Sequence, residues 1–378
     1  MSPARVAVVA CDTYEPAVVD AAVGRAIGLL GGAERFVSAG ERIVLKPNLL
    51  VASTPEKAVT THPSVFAAVA RVLAEAGTML TWGDSPGFGS TAGVGKRAGL
   101  VAEAARLGVR TADFSHGREV PFPEGALIKR FTLAAGVLEA DGLVSLPKLK
   151  THALTRMTGA VKNQFGCIPG MLKGEFHTRM PDVDRFSQML VDLNRLIAPR
   201  LVVMDAVVAM EGNGPRGGDP RHVGVLLVSD DPVAVDALGC RIMNLDPALV
   251  GTVSWGERLG LGSASDIELL GDELPVFADY VVNRSVASTT GGGIGSPLGK
   301  RLLAPRPFIV SERCTQCGTC VQVCPVEPKA VTFPDGDRSL SPVYDYGHCI
   351  RCYCCQEMCP ERAIEVKTPL LGRLIRRT

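Results

Sequence analysis

The segments "CTQCGTCVQVCP" (residues 314–325) and "CIRCYCCQEMCP" (residues 349–360) share one spacing, C-x2-C-x2-C-x3-C-P. Three thiolates so spaced wrap one face of an iron–sulfur cube, with backbone N–H groups aimed at the sulfurs. The chain carries the fourth cysteine onward to the other cube, and proline sets the turn. The spacing therefore predicts that Cys314, Cys317, Cys320 and Cys359 hold one [4Fe–4S] cluster, and that Cys349, Cys352, Cys355 and Cys324 hold a second. Zinc is the ordinary alternative, but a zinc knuckle is usually built from two pairs of ligands, and two copies of this longer run argue against it. Cys354 has no counterpart in the first copy. It is read as a non-ligand whose thiol, beside a cluster, is open to redox chemistry.

Outward from the cysteines the duplication continues. "CPVEPKAVTF" and "CPERAIEV" both leave Cys-Pro for a short β-like segment, the internal repeat of a two-cluster ferredoxin. This predicts a small α+β ferredoxin-like domain over 305–366. Nine of the twelve cysteines lie between 314 and 359; Cys11, Cys167 and Cys240 are read as small buried hydrophobes. In a long chain such a cluster means metal rather than disulfides. The N-terminal apolar run Val6 to Ala10 is too short for a signal segment, and no run reaches the ~18 apolar residues of a membrane span. The expected compartment is the cytoplasm. A net charge of +1 gives no case for nucleic acid. Residues 284–307, rich in Gly, Ser and Pro, read as a linker. Residues 367–378 read as a basic amphipathic tail with Leu370, Leu371, Leu374 and Ile375 on one face, either docked on its own protein or a peg for an acidic partner or anionic lipid.

Residues 1–300 alternate between strand-like and helix-like segments. "RVAVVA", "RIVL", "TMLTW", "GLVSLP", "PRLVVMDAVVAM" and "HVGVLLVSDD" read as strands; "AVVDAAVGRAIGLL", "PSVFAAVARVLAEAG", "AGVGKRAGLVAEAARLG" and about 182–197 and 232–244 read as helices. That pattern predicts an α/β domain, a mostly parallel sheet covered by helices. Ligands of such sheets sit beyond the carboxyl ends of the strands. Four exits carry charged or amide groups: Lys46-Pro47-Asn48, Gly83-Asp84-Ser85, Lys148 to His152, and Asp205 with Glu211-Gly212-Asn213. Each has an ordinary reading: a solvated lysine, an aspartate capping the helix near Thr91, a glycine turn. Their convergence at one sheet edge is the sharper reading. "GFGSTAG" (87–93) offers N–H groups at a helix start. "GIGSPLGKR" lacks phosphate-loop spacing. His62 serves a turn, His116, His222 and His348 have no visible partner, and Trp82 and Trp255 are core.

With "VLKPN", "TTHPSV", "GDSPG", "LPKLKTH", "GAVKNQFGCIPG", "DAVVAMEGNGP" and "DDPVAVDALGC" in this order before a two-cluster ferredoxin, the chain resembles the uncharacterised iron–sulfur-centre proteins of domain-of-unknown-function family 362. The resemblance implies fold and clusters and names no reaction. His152, Lys162, Pro169-Gly170 and His177 are similar in order to the nickel-pincer lactate racemases. That similarity implies Lys162 as a cofactor tether and His152 and His177 as metal or proton-transfer groups. The chain differs there in "LTRMT" before Lys162 and "NQFGC" after it.

Together these features predict a pocket for an anionic small molecule, since several lysines at one site stabilise carboxylate or phosphate. The expected catalytic groups are Lys162, His152, His177 and Lys150; the expected substrate-binding groups are Lys46, Asn48, Asp84, Ser85, Lys148, Asn163, Asp205, Glu211 and Asn213. Lys148 and Lys150 alternate along an extended segment and so face opposite sides. The leading expectation is an oxidoreductase that takes low-potential electrons from a redox partner, a ferredoxin or reductase, and passes them to a substrate or to a further bound cofactor or metal. A non-redox isomerase or lyase with structural or sensory clusters, and an electron carrier without substrate, stand beside it.

Overall fold

The computed structural model describes residues 3–285 and 304–369. Most of the expected linker, "GIGSPLGKR" and nearly all of the basic tail lie outside them. Strands are ordered Ile267–Gly271, Ala4–Ala10, Asp219–Ser229, Leu201–Glu211, Gly142–Leu146, Arg42–Pro47, Met79–Trp82 and Arg110–Thr111, and Lys148–His152 and Arg156–Thr158 extend the sheet beside Leu201–Glu211. Pairing is parallel, except that Asp219–Ser229 runs against both neighbours and Arg156–Thr158 against Lys148–His152. The sheet is thus mixed and mostly parallel, as the alternation predicts.

Both faces are buried, which is why the strand segments read as nearly continuous apolar runs. Ala7, Val9, Ile43, Leu45 and Val203 point to one face, under helices Pro16–Leu29 and Pro63–Glu75. Val6, Val8, Val202 and Met204 point to the other, under helices Val183–Ile197 and Pro232–Ile242. The period of two along each strand divides one apolar run between two cores. Asp231 caps the last of these helices, accepting from the N–H groups of Val233 and Ala234 at 2.8 and 2.9 Å, with Pro232 at its first position.

Two expectations are corrected. The single helix read over "AGVGKRAGLVAEAARLG" is two, Thr91–Arg97 and Leu100–Arg106, because Gly99 takes φ 79° between them. Asp205 is no strand exit: Leu201–Glu211 continues past it because the antiparallel Asp219–Ser229 runs alongside to Glu211.

The cysteine-rich unit pairs Arg306–Ile309 with Ile364–Lys367 and Val331–Thr332 with Val343–Tyr344, with short helices Thr319–Gln322 and Cys354–Met358. It docks at the end of the large sheet. Gln356 Nε2 donates to Asn213 O, Asn213 Oδ1 and Gly214 O at 3.0, 2.8 and 3.1 Å. Asn213 Nδ2 donates to Ile364 O at 3.0 Å, and Met358 packs against Val51, Ala58, Val59 and Met210. Among the described residues no helix is long and apolar enough to cross a membrane.

Candidate functional site

The carboxyl ends of Arg42–Pro47 and Met79–Trp82 open on a pocket of about 1060 Å³, part of it open to solvent. Its α/β wall carries Asn48, Asp84, Ser85, Lys150, Lys162, Asn163, Lys173 and His177. Gln322, Val323, Cys354, Glu357 and Met358 of the cysteine-rich unit line it too.

Lys46, beneath this pocket, is fully buried and pairs with Asp84 Oδ1 at 2.7 Å. Its ammonium also donates to Pro47 O at 2.9 Å and Asn163 Oδ1 at 3.2 Å, and Asp84 Oδ2 accepts from the Leu49 N–H at 2.9 Å. Asn163 Nδ2 donates to Lys46 O and Ser145 Oγ at 3.1 and 2.9 Å. Such a pair survives burial only when its remaining polar atoms are satisfied. Gly166 lies so close that a Cβ there would stand 1.8 Å from Asp84 Oδ1.

Lys162 is carried by the short helix Ala160–Asn163, whose first N–H groups, of Ala160 and Val161, donate to the buried Asp236 carboxyl at 2.5 and 3.1 Å. Burial pushes that carboxyl up to about 7. Gly159 permits the approach, since a Cβ would meet Asp236 Oδ1 at 2.0 Å. Among the described residues no hydrogen-bond or ion-pair partner stands at the Lys162 ammonium, and the ring of Phe165 lies 6.0 Å away. Burial lowers its pKa, and Glu357 opposes that shift. Lys150 is fully buried, donates to Val59 O, and is driven well below the usual lysine range by burial and then by Lys162. Lys173 donates to Ser85 Oγ at 2.6 Å and Ile168 O at 3.0 Å, and burial lowers it to about 8.

His177 stacks on Phe186 at 4.7 Å, and burial lowers it to about 4. His152 Nδ1 accepts from the N–H groups of Leu154 and Thr155 at 3.0 and 3.3 Å, so the ring proton sits on Nε2. Nε2 closes on Glu357 Oε1 at 3.0 Å, off hydrogen-bond alignment, and burial holds the imidazole near 4. Burial opposes ionisation of Glu357, and the neighbouring His152 and Lys162 shift the carboxyl the other way, to a net lowering.

Four residues expected at the pocket are placed elsewhere. Lys148 alternates with Lys150 and turns to the opposite side, where it pairs with Asp205 at 2.8 Å and donates to Tyr14 OH at 2.7 Å. Tyr14 OH in turn donates to Asp205 Oδ1 at 2.8 Å, so this buried group is satisfied without a ligand. Glu211 lies beside Arg221 and accepts from the Val281 N–H at 3.0 Å. Asn213 is taken up in docking the cysteine-rich unit. His62 caps helix Pro63–Glu75, its Nδ1 accepting from the Ser64 N–H.

Lys173, Glu357 and Asp236 were not legible as site residues. Glu357 lies inside a run read for its cysteines; its only signal is an acid between cluster ligands. Asp236 acts from seventy-odd residues away through backbone N–H groups, which no motif spacing encodes.

The residues present fit the two predicted clusters. Cys314, Cys317, Cys320 and Cys359 line one cavity of about 340 Å³, and Cys324, Cys349, Cys352 and Cys355 line another of about 320 Å³. The Ala363 N–H donates to Cys359 Sγ at 3.3 Å and Tyr344 OH to Cys355 Sγ at 3.2 Å, donors of the kind that tune cluster sulfurs. Cys354 lines neither cavity; it faces the large pocket.

The description "Domain of unknown function (DUF362)" matches residues 43–241, and "4Fe-4S dicluster domain" matches residues 306–364. A thylakoid-associated protein of Synechocystis is 41% identical over 250 residues, 66% of this chain and 77% of its own length. An uncharacterized ferredoxin of Methanocaldococcus jannaschii is 36% identical over 65 residues, 17% of this chain and 82% of its own. Among solved structures, the lactate racemase apoprotein of Thermoanaerobacterium thermosaccharolyticum aligns with a TM-score of 0.38 at 11% identity, covering 64% of this chain and 57% of that one.

Proposed function

The chain belongs to the DUF362 family and ends in a 4Fe-4S dicluster domain with the capacity for electron transfer, and from that premise we propose that it is an iron–sulfur oxidoreductase reducing an anionic small molecule in the large pocket. One observation carries this: Cys354, Glu357 and Met358, on the short stretch between cluster ligands Cys355 and Cys359 or adjoining it, line the same pocket as Lys150, Lys162 and His177. The clusters, when bound, supply single electrons at low potential, two in sequence. Lys162 and Lys150 hold the anion and stabilise charge that develops on it as it is reduced. His177, neutral at ordinary pH, and Lys162 move protons at the reduced atom in this reading. Asp236 and Gly159 orient Lys162 through the backbone. A cytoplasmic ferredoxin or reductase is the electron source, meeting the side where Cys317 is exposed.

The test is anaerobic. Protein with reduced clusters is mixed singly with a panel of carboxylates and phosphates while cluster absorbance and product mass are followed. A ligand that speeds reoxidation and appears reduced is expected, and Lys162→Ala should abolish this with both clusters spectroscopically intact. Reoxidation indifferent to every ligand would sink the proposal. A non-redox isomerase is favoured by a separate observation, that Lys162 and His177 both line the pocket without an ion-pair partner of their own among the described residues. Ligand conversion with oxidised clusters would select that reading.

A further inference from the structure

The Ser85–Lys173 corner of the pocket presents donors to the cavity. Ser85 Oγ accepts from the Gly170 N–H at 2.9 Å and from Lys173 Nζ at 2.6 Å. Both lone pairs of the hydroxyl are therefore occupied. Among the described residues no acceptor stands at its O–H, which is left to donate into the cavity that Ser85 lines. Lys173 spends two of its three N–H groups, on Ser85 and on Ile168 O, and also lines the cavity. One O–H and one N–H⁺ thus remain for a ligand acceptor at this corner.

Charge at the pocket is unbalanced in the same direction. Lys46 is matched by Asp84. Of the other acids among the described residues, only Glu357 lines the cavity, against three lysines, Lys150, Lys162 and Lys173. Three lysine side chains thus face one carboxylate besides Asp84 at this cavity among the described residues, and buried cationic groups favour an anionic ligand. Leu50, Phe88 and Met171 give the cavity apolar wall as well.

We propose that the pocket takes an aliphatic dianion, one carboxylate held by Lys173 and Ser85, the other by Lys162 with Lys150 behind it. The proposal rests on the pocket being the ligand site of the proposed function and not on electron delivery.

The test is titration calorimetry on the anaerobic, full-length, two-cluster protein at pH 7.5 with malonate, succinate, glutarate, butyrate and inorganic phosphate. At least one dicarboxylate is expected to bind tenfold or more tighter than butyrate. Lys173→Met and Ser85→Ala should each weaken that dicarboxylate about tenfold or more and so narrow its advantage over butyrate. Retained iron content certifies folding, and Ser85→Ala stands alone should Lys173→Met fail to fold. No dicarboxylate tighter than butyrate, phosphate tighter than every dicarboxylate, or both variants binding as the parent does would each overturn the proposal. Tight dicarboxylate binding without effect on cluster reoxidation would refute electron delivery and leave the two-ended site standing.

Discussion

Single residues decide whether the buried charges of this molecule can coexist. Gly166 has no side chain because the Lys46–Asp84 pair occupies the space where a Cβ would sit. Gly166→Ala should push Asp84 off Lys46 and destabilise the protein by roughly 3–5 kcal/mol, the range for breaking a buried pair; chemical denaturation followed by circular dichroism measures it, and a change under ~1 kcal/mol would contradict the packing described. At the cysteines, two clusters of four irons predict about eight irons per chain. Cys354→Ser should keep that number, because Cys354 lines neither cluster cavity. Cys324→Ser and Cys359→Ser should each perturb the cluster seated mainly on the other cysteine run. Anaerobic iron and sulfide analysis of the three variants, with their spectra, decides. The cysteine spacing was sufficient to pick out the same two groups of four that line the two cavities, since spacing is local to a run and its repeat. The Lys46–Asp84 pair was legible only as two polar strand exits.

At the scale of elements, caps and short helices aim the site. His62 opens helix Pro63–Glu75, with Nδ1 accepting from the Ser64 N–H and its ring stacked on Tyr14 at 3.5 Å. Burial lowers its pKa from 6.5 to about 4. The unfolded chain therefore binds a proton near pH 6.5 that the folded chain refuses until about 4. Stability owed to this group is full above pH 6.5 and falls as pH drops toward 4. His62→Asn keeps a capping side chain without the titration. Calorimetric melts should show the parent losing ground to the variant between pH 6.5 and 4 and a constant difference above 7; parallel curves across that window would refute the burial-driven shift. Sequence patterns located His62 in a turn and most helices to within a few residues. They missed the break at Gly99 and the passage of Leu201–Glu211 beyond Asp205, because the partner strand sets a strand's length.

At the scale of the whole molecule, the cysteine-rich unit is a wall of the large domain's pocket. Gln356 holds it there through three hydrogen bonds to Asn213 and Gly214. Gln356→Ala should leave iron content unchanged, raise amide exchange around 211–215 and 354–364 by about tenfold or more, a change equivalent to roughly 1.4 kcal/mol in local opening, and slow any ligand-dependent cluster reoxidation. Unchanged exchange in both segments would show that the apolar contacts of Met358 suffice. The sequence by itself determined the two groups of cluster-type cysteines, the mostly parallel α/β class and Lys150 at a strand exit, because thiolate spacing, apolar periodicity and strand polarity are properties of short stretches; Lys162 and His177 were expected beside it from a family resemblance. Tertiary structure alone decided that Lys148 is consumed by Asp205 and Tyr14, that Glu211 and Asn213 stand apart, and that Glu357, Lys173 and Asp236 complete or orient the site. Those outcomes depend on which groups meet across tens to hundreds of residues, and the cost of burying an unpaired charge fixes the pairing only once the chain has brought them together.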